Sequence, residues 1–385
     1  MVDFRLGDEY EELRASVREF AREQVAPVIA GHYENEKFPY EIVRQMGKMG
    51  LFGLPFDEKF GGMGGDYFAL CIALEELARV DSSVAVTLEA GVSLGAMPIY
   101  RYGTDAQKER WLPRLTSGEA LAAFGLTEPG TGSDAAGTTT RAVLDETAGE
   151  WVINGTKAFI TNSGTDITCL VTVMAVTGTN PDGSKELSTI IVPSGTPGFT
   201  VAPQYSKVGW CASDTHELSF DDVRVPAANL LGERGRGLAQ FLRILDEGRI
   251  AIAALAVGLA QGCVDESVSY AKQRTAFGRP IGDNQAVSFL IADMDLRAHM
   301  ARLGYYDAAS RMLAGEDFKR YAAIAKLNAS NAAMENSRYA TQVHGGYGFM
   351  NESPVGRFYR DAKILEIGEG TSEVQRMLIA RGLGL

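Results

Sequence analysis

The chain has 385 residues, 45% hydrophobic and 22% charged, with a formal net charge of -12. One core does not organise that length, so two or three domains sharing interfaces are expected. The acidic balance argues against sequence-independent nucleic-acid binding, which needs a basic face to displace phosphate counterions. From residue 8 to about 117, apolar residues recur at helical spacing: Leu13, Val17, Phe20 and Val25, then Ile42, Met46, Met49 and Leu51. A glycine-rich run at 61–65 separates these from another helical stretch at 67–80, and Pro113 with Gly118 closes the block. The expectation is an N-terminal helical domain over residues 1–118. Asp3, Asp8 and Glu9 give the opening none of the arginine-rich, acid-poor character of a transit peptide. With Met1 as the natural start, a cytoplasmic protein is expected.

Between residues 119 and 230 the pattern turns to strands. Residues 151–153, Asn154-Gly155 and 157–160 read as a hairpin around a type I′ turn, followed by strands at 168–176, 187–192, 199–202 and 217–220. Helical crossovers between them are absent, which predicts a middle antiparallel β-barrel or sandwich domain. From residue 231 to 385 helical patterns return at 238–271, 284–313 and 318–344, with a final pair around Glu369, and predict a C-terminal four-helix bundle. The fold class is therefore α+β and multidomain, with a β domain between two helical blocks that pack on each other. The apolar run 250–260 is far shorter than the ~20 residues of a bilayer span and reads as a buried helix. Cys71, Cys169, Cys211 and Cys263 are isolated, which argues against a zinc site or disulfide framework and for a reducing compartment.

Several short segments carry candidate chemistry. In FGLTEPGTGS at 124–133, Gly130, Gly132 and Ala135 satisfy the G-x-G-x-x-A form, but Pro129 precedes them and β-like 138–144 follows. A dinucleotide fingerprint must follow a strand and open a helix, so a nicotinamide site is not expected there. Thr127, Thr131 and Ser133 either bring donors to a flat anionic cofactor or belong to an ordinary glycine turn. Asp246 and Arg249, three apart on a helix, form either a surface pair or a buried arginine needing a carboxylate, with Glu369 as one choice. Arg274 and Phe277 offer a guanidinium and an aromatic face near a helix end, where a dipole role also suffices. Gln342-Val343-His344-Gly345-Gly346 reads equally as a helix cap. At 367–376, IGEGTSEVQR sets Glu369 in a glycine-made gap between two helical patterns, with Ser372 and Gln375 spaced as a capping box. Backbone N–H groups at such a break are free to bind a carbonyl oxygen or an anion. Read alone, the segment is a carboxylate beside a helix N-terminus. No cluster has metal-ligand spacing.

Taken together, TEPGTGSD at 127–134, KAFITN at 157–162, DEGR at 246–249, RTAFG at 274–278, QVHGG at 342–346 and EGTSEVQR at 369–376 resemble the acyl-CoA dehydrogenase family along nearly the whole chain. The resemblance implies FAD between the β domain and the bundle, an acyl-CoA substrate, a homotetramer and an electron-transfer flavoprotein as electron acceptor. It implies that Phe124, Leu126, Thr127, Gly132 and Ser133 line the flavin and thioester region and that Phe159, Ile160 and Thr161 flank the isoalloxazine. Arg274, Phe277, Gln285, Gln342, Gly345 and Gly346 would hold the ADP part of FAD in a neighbouring subunit's site, and Thr371 and Glu373 would close over the cofactor. Ser133, Asp246, Arg249 and Gly370 match acyl-CoA contacts. Glu369 would take the α-proton while a β-hydride passes to flavin N5, giving trans-2-enoyl-CoA, in fatty-acid or branched-chain amino-acid catabolism. The thioester oxygen would bond to the Glu369 N–H and a ribityl hydroxyl.

Three positions depart from, or choose within, the family pattern. Phe159 stands where many relatives have Trp, which removes an indole donor but keeps a flat aromatic. Two branches carry the base just before the arginine of the long helix; here that position is Gly248. Gly368 stands where many relatives have Tyr, which predicts a pocket open to short or branched acyl groups. An acyl-CoA oxidase using oxygen, or a non-catalytic CoA- or flavin-binding scaffold, are the alternatives.

Overall fold

A computed structural model describes residues 6–385, so the acidic opening at Asp3 lies outside the described residues. Helix α1 (Asp8–Phe20) buries Val17 and Phe20 at the predicted spacing and runs through a π-helical turn, Ala21–Val25, into α2 (Ala26–Glu34). Helix α3 (Tyr40–Lys48) buries Ile42, Val43 and Met46. Two helices with almost no polar face follow, α4 (Tyr67–Ala78) and α5 (Ser82–Glu89), each started by an aspartate that accepts from the first backbone N–H groups. A second π-helical stretch, Ala90–Ala96, leads to α6 (Met97–Tyr102), and α7 (Asp105–Thr116) opens on a Thr104–Gln107 capping box.

The middle region holds β1 (Leu121–Gly125), β2 (Arg141–Asp145), β3 (Glu150–Thr161), β4 (Thr168–Thr179), β5 (Lys185–Pro193), β6 (Phe199–Val201), β7 (Thr215–Pro226) and β8 (Leu230–Leu231). They form one eight-stranded sheet in the order β6-β7-β3-β2-β4-β5-β8, with β1 beside β4. The sheet is mixed rather than wholly antiparallel: β1 runs parallel to β4, and β2 touches β4 in parallel at Arg141 and Val176. The connection from β1 to β4 carries two strands where a parallel crossover usually carries a helix. The expected domain boundaries fall between α7 and β1 and inside β8.

The predicted hairpin at Asn154-Gly155 is corrected. Both residues lie inside β3, and the chain reverses instead at 146–149, closed by the Gly149 N–H on the Asp145 carbonyl at 2.8 Å. The Asn154 side chain exchanges hydrogen bonds of 3.0 and 2.9 Å with Asp222, and the register against β7 shifts between Ile153 and Gly155. A Cβ on Gly155 would sit 2.5 Å from Thr140 Oγ1, so this glycine answers to close approach and not to a turn.

The C-terminal region is built on α8 (Gly237–Gln273), followed by a two-stranded ribbon of β9 (Thr275–Ala276) and β10 (Arg279–Pro280), then α9 (Gln285–Leu313), α10 (Lys319–His344), α11 (Pro354–Leu365) and α12 (Ser372–Gly382). Three long helices and a short pair around Glu369 stand where the sequence placed them. Residues 250–260 are buried throughout, as the apolar run predicted. By length and hydropathy, Ser82–Tyr102 and Gly237–Gln273 could each cross a bilayer, but 94% and 83% of their most apolar windows are buried inside the protein. The two helical blocks meet where a Cβ on Gly258 of α8 would reach 2.2 Å from the Glu75 carbonyl of α4. Glu75 in turn receives Arg302 Nε of α9 at 2.8 Å.

All three regions converge on Asp361 of α11. Its carboxylate accepts from Tyr33 Oη at 2.6 Å, Ser82 Oγ at 2.7 Å and the Trp210 backbone N–H at 2.7 Å.

Candidate active site

Helix α11 ends when Ile367 N and Gly368 N both turn back to the Ile364 carbonyl, at 2.9 and 2.8 Å. The next residues leave the helical region: Glu369 has φ 53° and Gly370 φ 93°. A left-handed glutamate is uncommon, and such strain persists only where neighbours fix it. Here Gln375 Nε2 and Lys326 Nζ each donate to the Gly370 carbonyl at 2.8 Å, and Ser372 N closes on the Glu366 carbonyl at 2.9 Å. The predicted capping box is corrected: Thr371, not Ser372, is the N-cap, accepting from Val374 N at 3.3 Å. Gln375 is thereby free to reach the base loop. Among the described residues the Glu369 N–H donates to no protein acceptor, so it can receive an external oxygen.

The Glu369 residue is half-buried, yet its Oε2 is inaccessible to water and no N–H donor reaches it. That oxygen lies against α8, where a Cβ on Gly248 would come within 2.6 Å of it. Glu89, at the end of α5 and 1% exposed, is the neighbouring carboxyl. Burial, then the Glu369 charge and hydrogen bond, hold the Glu89 proton on well above the usual carboxylate range. Burial raises Glu369 as well, but the Glu89 hydrogen bond and the charges of Lys326 and Arg249 oppose it, leaving it at about 7. Two carboxyls in one dry site do not both ionise readily, so Glu89 holds the proton and Glu369 is the ionised member of the pair. Arg249 does not pair with Glu369, as one sequence reading allowed; it is buried and paired with Asp246, whose other oxygen meets Lys319 Nζ at 3.5 Å.

Glu89 and Lys326 were not among the sequence candidates, and Gln375 was read only as part of a capping box. A lone carboxylate inside the apolar stretch VAVTLEAGVSLGA at 84–96, and a lysine among the alanines at 322–329, were the available signals.

The 124–133 segment is a strand end and turn. Phe124 of β1 stacks on Phe241 of α8 at 3.9 Å between ring centres. The turn is held from beneath by Lys157, fully buried, which donates to the Leu126 carbonyl at 3.1 Å and to Glu128 at 2.8 Å. Glu128 also accepts from Thr139 and Thr140. Burial pushes Glu128 up, but its bonds to Lys157, Thr139 and Thr140 outweigh this and bring it down to about 2; burial lowers Lys157 to about 8. The two shifts disagree on whether the pair gains from its surroundings. The carboxylate side carries more weight, since it has three charge-assisted partners.

Thr127 is half-buried, while Gly132 and Ser133 are exposed, and Cβ atoms on Gly130 and Gly132 would meet nothing within 4 Å. Phe159, 65% exposed with φ 60°, presents its ring at the surface against Tyr205 at 5.2 Å. Thr161 is half-buried; Ile160 instead turns into the sheet core. An open shelf edged by glycines and one exposed aromatic suits a flat ring system.

A second cleft of about 520 Å³ opens where α8 and α10 end, lined by Tyr270, Arg274, Ile281, Gly345, Gly346 and Tyr347 among others. Gly345 takes φ 59°, and neither glycine's added Cβ would meet an atom within 4 Å. Gln285 begins α9, Gln342 lies exposed on the last turn of α10, and Phe277 is 99% exposed at the tip of the β9–β10 ribbon. His344 only stacks on Tyr270 at 4.3 Å and bonds the Ala340 carbonyl. A guanidinium, open glycines and an aromatic form a donor set suited to a phosphate-bearing group. The two sets of sequence candidates thus occupy separate places on the chain's surface, with Thr371 and exposed Glu373 at the start of α12.

Three sequence families match in order: acyl-CoA dehydrogenase N-terminal domain at residues 7–119, middle domain at 123–223 and C-terminal domain at 235–384. A probable acyl-CoA dehydrogenase of Bacillus subtilis is 47% identical over 382 residues, 99% of this chain and 100% of that one. Among solved structures, the butyryl-CoA dehydrogenase of Megasphaera elsdenii superposes with a TM-score of 0.96 at 41% identity over all of both chains. A chain from a structure of the electron transferring flavoprotein of Acidaminococcus fermentans gives 0.95 at 38% identity, covering 99% of each.

Proposed function

The chain belongs to the acyl-CoA dehydrogenase family, and on that premise we propose that Glu369 is its catalytic base and short or branched acyl-CoA thioesters its substrates. It is an FAD-dependent enzyme of α,β-dehydrogenation. Bound FAD supplies the acceptor for the hydride that leaves the β-carbon. The chain's own groups manage the proton. Glu369 takes it from the α-carbon, the C–H electron pair becomes the new double bond, and trans-2-enoyl-CoA results. Negative charge grows on the thioester oxygen as that proton leaves, and the unpaired Glu369 N–H is the donor placed to receive it.

The observation that carries the assignment is the half-buried Glu369, whose inaccessible Oε2 rests on Gly248 while Glu89 holds the neighbouring proton. The shelf at 124–133 with Phe159 and Thr161 suits the isoalloxazine, and Thr371 with Glu373 closes over it. The Arg274 cleft, with Phe277, Gln285 and Gln342, suits the ADP part of FAD from a second subunit, which supports a homotetramer. Ser133, Asp246, Arg249, Gly368 and Gly370 are assigned to the thioester. Ile160 has its side chain in the sheet core, which leaves its backbone to flank the isoalloxazine. The butyryl-CoA neighbour supports short acyl chains, and the neighbour from an electron transferring flavoprotein structure supports such a protein as electron acceptor. Bacterial relatives fit a cytoplasmic location.

The test is anaerobic bleaching of the yellow protein by butyryl-, isobutyryl-, octanoyl- and palmitoyl-CoA. The wild type should bleach fastest with the four-carbon substrates, and Glu369→Gln should not bleach. Normal bleaching by the variant would remove the base assignment; turnover confined to octanoyl- and palmitoyl-CoA would remove the substrate class.

A further inference from the structure

We propose that Lys326 is the positioning residue for the base: it holds the Glu369-Gly370 segment through the Gly370 carbonyl and supplies the positive charge that keeps Glu369 ionised beside Glu89. The inference rests on Glu369 as the base and adds a group on a different helix, the eighth residue of α10, which belongs to none of the quoted motifs.

The geometry is that of a clamp. Lys326 is 0% exposed, and its Nζ meets the Gly370 carbonyl at 2.8 Å, the oxygen that also receives Gln375 Nε2 at 2.8 Å. Two helices, α10 and α12, thus hold one carbonyl from two sides. That carbonyl lies one peptide beyond the left-handed glutamate, and Gln375 Nε2 also reaches the Glu369 carbonyl at 3.4 Å, so the backbone on the C-terminal side of Glu369 is pinned. From the next turn of α10, Ser330 Oγ donates to the Leu365 carbonyl at 2.8 Å and ties down the end of α11.

A neutral amide would satisfy the Gly370 carbonyl equally well. Around Lys326, α10 buries Ala322, Ala325, Ala329 and Ala333, so an ammonium there is costly to desolvate. The carboxylate that most favours its charge is Glu369, ahead of Glu366 and Glu373, while Arg249 opposes it. Glu366 has Lys363 at 2.7 Å and Glu373 has Arg376 at 3.4 Å, both at the surface. Arg249 is committed to Asp246. Of the cations facing the base, Lys326 alone has no carboxylate of its own among the described residues, and Glu89 faces Glu369 from α5 as an acid. Burial lowers Lys326 to about 8, so it stays charged across the range where Glu369 titrates.

Lys326→Gln keeps a donor for Gly370 and removes the charge; Lys326→Met removes both. For Lys326→Gln we expect wild-type flavin content and an acid limb of kcat/KM moved up by about one pH unit, with turnover at pH 9 unchanged. Lys326→Met should show the same shift and a further loss at every pH. The exchange of the butyryl-CoA α-hydrogen into deuterated water, which reads the base without hydride departure, should shift in parallel. An acid limb of Lys326→Gln at the wild-type position overturns the inference. If that variant does not load flavin, Lys326→Arg decides: an unmoved limb supports the retained charge, and a limb moved up overturns it. Glu369→Gln separates the two readings. Its continued turnover would remove the base itself, whereas a silent Glu369→Gln with an unmoved Lys326→Gln limb removes only the role of Lys326.

Discussion

The Glu369 carboxylate and Gly248 occupy each other's space: a single Cβ on Gly248 would lie 2.6 Å from Oε2. The position before Arg249 and the Glu369 loop are therefore two sides of one contact. A side chain at 248 would exclude the carboxylate arriving from the 369 loop. Gly248→Ala should displace Glu369 by a fraction of an ångström to an ångström. Since misplacement on that scale can cost a hundredfold, kcat should fall about 10- to 100-fold with flavin content unchanged. Stopped-flow reduction by butyryl-CoA measures it, and an undiminished rate would mean that the contact does not position the base.

The second prediction concerns pH. Glu369 must be ionised to accept a proton, and burial, opposed by Glu89, Lys326 and Arg249, sets it at about 7. The active form is lost as pH falls through that value, so kcat/KM at pH 6 should be about a tenth of its alkaline plateau. Glu89→Leu removes the protonated carboxyl whose hydrogen bond lowers Glu369, so the acid limb should move to higher pH. A limb near 4.5 in the wild type would show that the carboxylate is solvated in the working enzyme.

The helical blocks were legible because their apolar spacing is regular and their boundaries are marked by glycine and proline, as at 61–65 and around Gly118. The hairpin at Asn154-Gly155 misled because the dipeptide serves two geometries, a turn and a close-packed bulge, and only Thr140 across the strand decides between them. The Glu369 loop was legible through its glycines. Its partners were not, because Glu89 and Lys326 lie in apolar helices 280 and 43 positions away, and a lone buried charge announces no partner. The capping register slipped by one residue since Thr371 and Ser372 are both good caps, and Gln375 was drawn to the loop.

Asp361 joins the three regions, and its loss should be felt by the whole fold. Asp361→Ala leaves the Tyr33 hydroxyl, the Ser82 hydroxyl and the Trp210 N–H without their acceptor, at a cost of about 3–5 kcal/mol. A single calorimetric transition should move down as one. Splitting of the transition, with one region unaffected, would deny Asp361 the joining role.

Its neighbour Asp81 makes stability pH-dependent. Burial, then the charge of Asp361, raise Asp81 to about 7 against the pull of Arg357. A raised group favours the protonated fold, so this contribution is complete below about pH 4 and lost as pH rises through 7. Asp81→Asn keeps an acceptor for the Ser83 and Val84 N–H groups and removes the titration. The drop in melting temperature between pH 5 and pH 8 should be smaller in the variant; an equal drop would place the dependence elsewhere.

Gly368 bears on substrate choice. A Cβ there would meet only the Ile364 carbonyl at 3.5 Å and Ile364 Cγ1 at 3.9 Å, ordinary contacts, and its backbone is not left-handed. The backbone therefore tolerates a side chain, and Gly368→Tyr should fold and load flavin. A tyrosine beside Glu369 would occupy space near the acyl α- and β-carbons, where branching at the α-carbon needs room. The ratio of kcat/KM for isobutyryl-CoA to that for butyryl-CoA should fall about tenfold, the scale that a methylene-sized clash imposes on a closed pocket. An unchanged ratio would mean that the glycine does not admit the branch, and the chemistry that selects the acyl group would then lie deeper, toward Glu89 and the π-helical turn that follows it.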